Sequence, residues 1–312
     1  MQRNDINTHI LDHLVHLSPP TTLSEVTRQF EELGFRVIPG GVHAGGLTEN
    51  ALVILSDGVY VELISFTHPI THYPPNTPER HLRESHPWAS KRPGWIDYAF
   101  LGTGSTERGK GVSERINERA KIDGAGQLYD KEVEGGRTRD DGQVLKWLIS
   151  APVSSLRNTA GLPFFCGDVT PRGLRVPFDP ISNTHHPSTA KGIAYLKIVT
   201  TPSSFSRTKR HITLITGTKP KAEGEGEATW LVMSNPIQEE NRNLEPRLMV
   251  KVAGEGEERS YLENRGITDD EDGGGGAAIY EVGFRVTRGS KAGVEMSPHA
   301  RISWIVEERL IL

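Results

Sequence analysis

One order of elements, written twice, constrains this chain more than any other feature: residues 10–66 read as β-α-β-β-β, and residues 94–170 read the same way. In the first copy, Ile10 to Leu17 alternates apolar and polar residues as a half-buried strand does, and Pro19-Pro20 ends it. The spacing then predicts a helix over 21–34. Leu23, Val26, Phe30 and Leu33 recur on one face, Thr22 and Glu25 offer a capping box, and Gly34 is placed to stop the helix. Phe35 to Pro39 reads as a short strand leading into a Gly-rich loop over Gly40 to Gly46. Ala51 to Leu55 and Val59 to Phe66 flank Ser56-Asp57-Gly58, a hairpin signal. An open sheet of this order gives one face to its helix and leaves the other free to line a cavity.

In the second copy, Trp95 to Leu101 stands where Ile10 to His16 stood, which aligns Tyr98 with His13. Val112, Ile116 and Ala120 mark its helix, Gly135-Gly136 echoes Gly40-Gly41, Gln143 to Ile149 matches Ala51 to Leu55, and Leu162 to Val169 closes the unit. The fold class is therefore α+β, with tandem βαβββ modules over about 9–66 and 94–170 inside a first region of 1–176. Beyond residue 190 the pattern weakens, although Ile193 to Thr200, Ala228 to Ser234, Pro246 to Ala253 and Ala278 to Thr287 are strand-like. Region 177–312 is thus a strand-rich extension with a degenerate third module. Glu223 to Glu227 and the acidic, Gly-rich run Asp269 to Gly276 read as flexible surface loops.

Composition removes several function classes. The 36 Lys and Arg are outweighed by 40 Asp and Glu, for a net charge of −4, so no nucleic-acid partner is expected. The richest basic stretch, Arg207 to His211, lacks interleaved aromatics and reads as a solvated surface. A single cysteine, Cys166, allows neither a disulfide framework nor a cysteine zinc cluster, and it lacks a cysteine-hydrolase signature, so core packing is its reading. No apolar run is long enough for a bilayer and no signal peptide opens the chain, so a cytoplasmic setting without membrane association is expected. The glycine loops fit neither a Walker motif nor a dinucleotide fingerprint.

The strings Leu11-Asp12-His13-Leu14-Val15, Gly40-Gly41-Val42-His43, Asn50-Ala51-Leu52 and Tyr60-Val61-Glu62-Leu63-Ile64 together resemble the glyoxalase-like domain family of the vicinal-oxygen-chelate superfamily. Gly94 to Tyr98, Arg137 to Gln143 and Leu162 to Phe165 extend the likeness over roughly residues 9 to 175. The resemblance implies a cupped mixed sheet around a small-molecule pocket. It also implies a divalent metal held by a His on a first strand and a carboxylate on a last strand, positions matched here by His13 and Glu62. Those ligand types suit Mn²⁺, Fe²⁺ or Zn²⁺ and place the two ligand atoms about 3–4 Å apart.

The second module departs from that pattern: Tyr98 stands where a ligand His belongs, and Asp168 is the nearest carboxylate for a third ligand, with His43 and His186 as substitutes. Beside the metal roles of His13, Glu62 and Asp168, Glu62 and His43 are candidates for proton transfer. Asn50, Tyr98, Arg137, Arg139 and Gln143 are candidates for substrate contact, the two arginines as a pair for a carboxylate or enolate oxygen. The resemblance implies a metal-dependent lyase, isomerase or dioxygenase acting on a small oxygenated metabolite. The alternative is a metal-free protein that binds or sequesters a small molecule on the same fold, and a homo-oligomer is compatible with either.

Overall fold

A computed structural model describes residues 6–139, 142–157, 161–238, 244–269, 275–287, 292–297 and 299–306. The first copy of the repeat forms β1 (Leu11–Leu17), α1 (Leu23–Glu32), β2 (Ile38–Val42), β3 (Thr48–Ile54) and β4 (Tyr60–Phe66). A connector carrying α2 (Pro78–Glu84) leads to β5 (Gly94–Leu101), α3 (Val112–Asp123), β6 (Val133–Thr138), β7 (Val144–Ser150) and β8 (Phe164–Asp168). These strands make one mixed sheet in the order β2-β3-β4-β1-β5-β8-β7-β6, and the copies meet through antiparallel β1 and β5 at its centre. The sheet curls until its edges touch. A bridge joins His43 to Arg137, and Ala44 N–H donates to Gly136 O at 3.1 Å, so the cup is nearly a closed barrel.

After α4 (Arg172–Arg175) the chain forms β9 (Gly192–Thr200), α5 (Pro202–Thr216), β10 (Ala222–Gly224), β11 (Glu227–Leu231) and β12 (Arg247–Val252). Then come α6 (Glu257–Asn264), β13 (Ala277–Val286), β14 (Gly293–Ser297) and β15 (Ala300–Val306). Their sheet, β10-β11-β12-β9-β13-β15-β14, repeats the layout of the first. The C-terminal module is complete from β9 to β12. Beside it, β13, β15 and β14 hold the places of β5, β8 and β7.

One apolar cluster joins the two sheets, with Leu14, Phe30, Phe35, Tyr98 and Ile116 packing in the same core as Ile193, Leu196, Phe284 and Trp304. The helix side of the cup is thus buried against the C-terminal half, and the concave side is left for a cavity. Phe30 is fully enclosed, and truncating such a side chain to Ala removes about 3–5 kcal/mol.

Local differences from the sequence reading have physical causes. The capping box does not form: Thr22 donates its hydroxyl to Pro19 O at 2.8 Å, and Glu25 instead accepts from Arg28 and Gln29 on the next turn. Gly34 does end α1, at φ +87°, with Phe35 N–H returning to Phe30 O at 3.1 Å. Phe35 is drawn into the core, so the following strand begins at Ile38 and takes in Gly40 and Gly41. Arg207 to His211 lies on α5, with Arg207, Lys209 and Arg210 toward solvent, Arg210 paired with Asp123 at 2.6 Å, and Thr208 and His211 buried. Glu223 to Glu227 shapes the β10–β11 hairpin, and Asp270 to Gly274 lie outside the described residues. Among the described residues, no helix is long and apolar enough to cross a membrane.

Candidate functional site

The concave face encloses a cavity of about 460 Å³, lined by His13, Asn50, Glu62 and Arg137 together with Tyr60, Trp147, Phe164 and the connector's Trp88. Small-molecule sites run to roughly 300–1,000 Å³. Adjacent strand residues normally point to opposite faces, yet Asp12 and His13 work together here. The reason is a β-bulge: Leu11 opposes Phe100 and His13 opposes Ala99, which leaves Asp12 as the extra residue. Its carboxylate, fully buried, lies 2.7 Å from His13 Nδ1.

Asp12 also accepts from both arginines of α4. Arg172 Nη1 donates to Oδ1, and Arg175 Nη1 to Oδ2 at 3.0 Å. Burial opposes its ionisation, but Arg172, Arg175 and the His13 hydrogen bond outweigh it and hold the carboxyl well below the usual aspartate range. An ionised Asp12 can only accept, so His13 donates Nδ1–H to it and Nε2 faces the cavity. Tyr60 stacks on the imidazole at 4.6 Å, and Phe164 meets it edge-on at 5.2 Å, so the ring is fixed on both faces.

Parallel pairing of β1 with β4 sets His13 opposite Tyr60 and Val15 opposite Glu62, all on the cavity face. His13 Nε2 and Glu62 Oε2 are 4.0 Å apart, at the outer limit of the expected separation. The other carboxylate oxygen is held by Asn50, which spends every hydrogen-bonding capacity of its amide. Nδ2 donates to Glu62 Oε1 at 2.6 Å and to His43 Nε2 at 3.3 Å, while Oδ1 accepts from Gly41 N–H at 3.1 Å and Arg137 Nη1 at 2.9 Å. That pattern fixes the amide orientation. It also fixes His43 as neutral, with Nε2 accepting and Nδ1 donating to Thr48 Oγ1 at 2.8 Å. Burial, reinforced by Arg137 and opposed by Glu62, lowers the His43 pKa in agreement. His43 therefore buttresses Asn50 from the cavity wall, its Nε2 also 3.5 Å from Glu62 Oε1.

The glycines of β2 are part of this arrangement, since a Cβ at Gly40 would lie 2.0 Å from Asn50 Oδ1 and 2.9 Å from Arg137 Nη1. Nothing larger fits at the seam.

Strand register corrects the alignment of the modules. The pair His13–Ala99 is carried onto Asp97–Val15 when the copies are exchanged, and the bulge at Asp12 is matched by one at Ile96. Asp97, not Tyr98, is the counterpart of His13. Tyr98 points into the core, where its hydroxyl donates to Gly161 O at 3.1 Å, so it cannot contact a substrate in the cup. Asp97 lines the cavity, accepts from Trp88 Nε1–H at 3.0 Å, and has its carboxyl pushed up by burial. The same exchange carries Glu62 onto Phe164 and Asn50 onto Ile149. Most of the polar machinery belongs to the first module, and the second contributes Asp97 and, across the seam, Arg137.

Two further candidates lie elsewhere. Arg139 and Gln143 close the β6–β7 hairpin, with Arg139 N–H donating to Gln143 O at 2.9 Å, and neither lines the cavity. β6 ends at Thr138, and Arg139, just beyond it, does not line the cavity with Arg137. Cys166 is buried as expected, and burial pushes its thiol up to about 12, which suits packing rather than nucleophilic attack.

A catalytic zinc-type centre takes three protein ligands and leaves a position open. His13 and Glu62 supply two. Asp168 is not available as a third, because Arg175 grips it through Nε at 2.6 Å and Nη2 at 2.9 Å, and Arg172 adds a contact at 3.2 Å. His186 lies behind the sheet, accepting from Arg36 N–H and donating to Ile54 O. Among the described residues, no group of three or more His, Cys, Asp or Glu side chains is arranged to hold a metal. The residues present do not fit the metal centre that the resemblance implies.

Comparison with known proteins agrees with the fold. Residues 11–214 match the family model described as the glyoxalase-like domain. A hypothetical protein from Staphylococcus aureus superposes with a TM-score of 0.62 at 11% identity, covering 95% of this chain and 99% of that one. A triple mutant of 4-hydroxymandelate synthase from Streptomyces coelicolor gives 0.49 at 11% identity, covering 90% and 72%. At such identity the likeness to the Staphylococcus aureus protein concerns the fold alone. No curated protein matches the sequence.

Proposed function

The chain belongs to the glyoxalase-like domain family, and from that premise we propose that its cup catalyses a proton transfer on a small oxygenated metabolite, as an isomerase or lyase does. The observation that carries this reading is the pair of buried groups facing one space: Glu62 Oε2 and His13 Nε2, 4.0 Å apart. Glu62 is the base that takes a proton from carbon. Asn50 holds its second oxygen, so the free one is aimed. The electron pair of that C–H bond passes to the adjoining carbonyl oxygen. His13 Nε2, oriented by Asp12, takes the neighbouring hydroxyl proton and hands it to that enolate oxygen, and Glu62 returns its proton to carbon. The transient charge on the imidazole is balanced by the Asp12 carboxylate. No step is assigned to a metal, because the donor set is one ligand short.

A second reading, a metal-free binding protein, draws on Phe164 and Ile149, which occupy in the second module the positions of Glu62 and Asn50. Those two positions make part of the second module's wall apolar. In either case the partner is a small molecule, and the buried reduced thiol of Cys166 accords with a cytoplasmic setting.

Deuterium wash-in separates the two. Small hydroxy-carbonyl compounds and 2-oxo acids are incubated with the protein in D₂O, and exchange at carbon is followed by NMR. At least one compound should exchange above the protein-free rate, and Glu62→Gln should lower that rate by about 10²–10⁴-fold. Equal exchange in wild type and Glu62→Gln overturns the enzyme reading, and so does a panel with no exchange.

A further inference from the structure

We infer that the ligand of the cup is a carboxylic acid whose carboxylate sits on Arg137, with an apolar body lying against Trp147, Phe164 and Ile149. This deepens the reading above by naming a substrate class, and it rests on that reading only in taking this cavity as the working site.

The argument starts from the burial of a charge. Arg137 is 6% exposed. Its guanidinium donates through Nη1 to Asn50 Oδ1, and its Nε has no hydrogen-bond partner. Among the described residues, no carboxylate lies within ion-pair distance of it. A buried guanidinium in this state is expensive unless something else completes its fork. The contrast within the same wall is informative: Arg175, equally buried, is saturated by Asp12, Asp168 and Tyr60. The fold thus satisfies one cavity arginine completely and leaves the other for a ligand.

The open terminal nitrogen selects the ligand. Nε is enclosed in the wall, so the ligand is received on the second terminal nitrogen, Nη2. That nitrogen has no protein acceptor among the described residues and offers a charge-assisted hydrogen bond to a carboxylate oxygen. A phosphate would carry a second charge toward Glu62, which lies just across the Asn50 amide from Arg137. Elsewhere the cavity wall carries Trp147, Phe164 and Ile149, surfaces for an apolar body. Two other cations line the cavity. Arg157 is paired with Asp130 at 2.9 Å, and Lys91 lies toward Asp97. Lys91 is therefore the competing anchor that a test must separate.

The probes are acetate, butanoate, phenylacetate and 3-phenylpropanoate, each with its primary amide, titrated calorimetrically into the folded protein. At least one acid should bind tenfold or more tightly than its amide, with affinity rising along the series as the apolar body grows. Arg137→Gln should erase the preference, Arg137→Lys should keep part of it, and Lys91→Gln should leave it intact. If Arg137→Gln does not fold, the wild-type Arg137 Nε–H resonance gives the same answer, shifting on addition of phenylacetate and not of phenylacetamide. Glu62→Gln separates the two readings: acid binding should persist or tighten there while deuterium exchange is lost, so a failed exchange assay with intact acid preference sinks the enzyme and not this inference. The inference is overturned if no acid outbinds its amide, if the preference survives Arg137→Gln, or if it disappears with Lys91→Gln.

Discussion

Asn50 Oδ1 accepts from Arg137 Nη1 at 2.9 Å across the seam where the two edges of the cup meet, while Asn50 Nδ2 donates to Glu62 Oε1 at 2.6 Å. One amide therefore ties the closure of the sheet to the aim of the carboxylate. Asn50→Ala removes two hydrogen bonds to charged groups and leaves both partners buried, so a loss of about 2–4 kcal/mol is expected. Urea unfolding checks this. A loss below about 0.5 kcal/mol would mean that the seam holds without the amide.

Gly40 makes that contact possible by having no side chain, since its Cβ would fall 2.0 Å from Asn50 Oδ1 and 2.5 Å from Asn50 O. Gly40→Ala should displace Asn50 and lower any exchange activity by at least tenfold, an effect of space rather than of backbone conformation. Stability and exchange should fall together. An alanine variant with wild-type exchange would show that Asn50 can shift without disturbing Glu62.

Asp12 is the anion on which Arg172, Arg175 and His13 converge. Asp12→Asn leaves Arg175 buried with half of its charge compensation, so a cost of about 3–5 kcal/mol is expected. The variant should also free the His13 tautomer, so that ¹⁵N chemical shifts of the ring, expected to report an Nδ1–H form in the wild type, become mixed. An unchanged tautomer would assign the orientation of His13 to Tyr60 and Phe164 alone.

How much of this was legible beforehand depends on what kind of information each feature carries. Alternation in β1, the apolar stripe of α1 and the stop at Gly34 are local properties of the chain, and the duplicated order β-α-β-β-β follows from them. His13, Asn50, Glu62 and Arg137 were legible through the family resemblance and do converge on one cavity. The Tyr98 alignment failed through the shared Asp in Asp12-His13 and Asp97-Tyr98, which invites a match one residue out of register. In a strand that slip exchanges the faces, putting Tyr98 in the core and hiding Asp97. The twin bulges at Asp12 and Ile96 leave no periodic signature. Asp168 looked like a ligand because nothing in its own strand reveals that Arg172 and Arg175 curl back onto it.

A short donor set should make the protein indifferent to divalent ions. Melting temperatures with Mn²⁺, Fe²⁺ or Zn²⁺ should stay within about 1 °C of the value in chelator, since an ion that binds only the folded state raises stability by mass action. A rise of several degrees that vanishes in both His13→Ala and Glu62→Gln would restore the metal centre, with solvent filling the missing positions.

Stability should also carry a pH signature set by buried titrating groups. Burial lowers His86, His186 and His211 to about 4, while it raises Asp57 to about 7. For each histidine the unfolded chain binds more protons between about 4 and its ordinary 6.5, so stability rises with pH across that window. Asp57 acts in the opposite sense: the folded state holds its proton from the ordinary 3.8 up to about 7, and stability falls with pH over that span. His43, also lowered, adds to the three histidines, and Asp97, also raised, adds to Asp57. The histidines outnumber the aspartates and leave a net rise from about pH 4 to 6.5, above which the decline set by the raised carboxyls remains. The urea midpoint should therefore climb to a maximum near pH 6.5 and dip slightly above it. Asp57 accepts from Ile193 N–H at 2.8 Å and Val59 N–H at 3.0 Å, so Asp57→Asn should reduce the dip at some cost in overall stability. Replacing His186, which links Arg36 N–H to Ile54 O, should reduce the slope on the acid side. A midpoint that is flat or falling between pH 4.5 and 6.5 would show that these imidazoles charge without opening the fold.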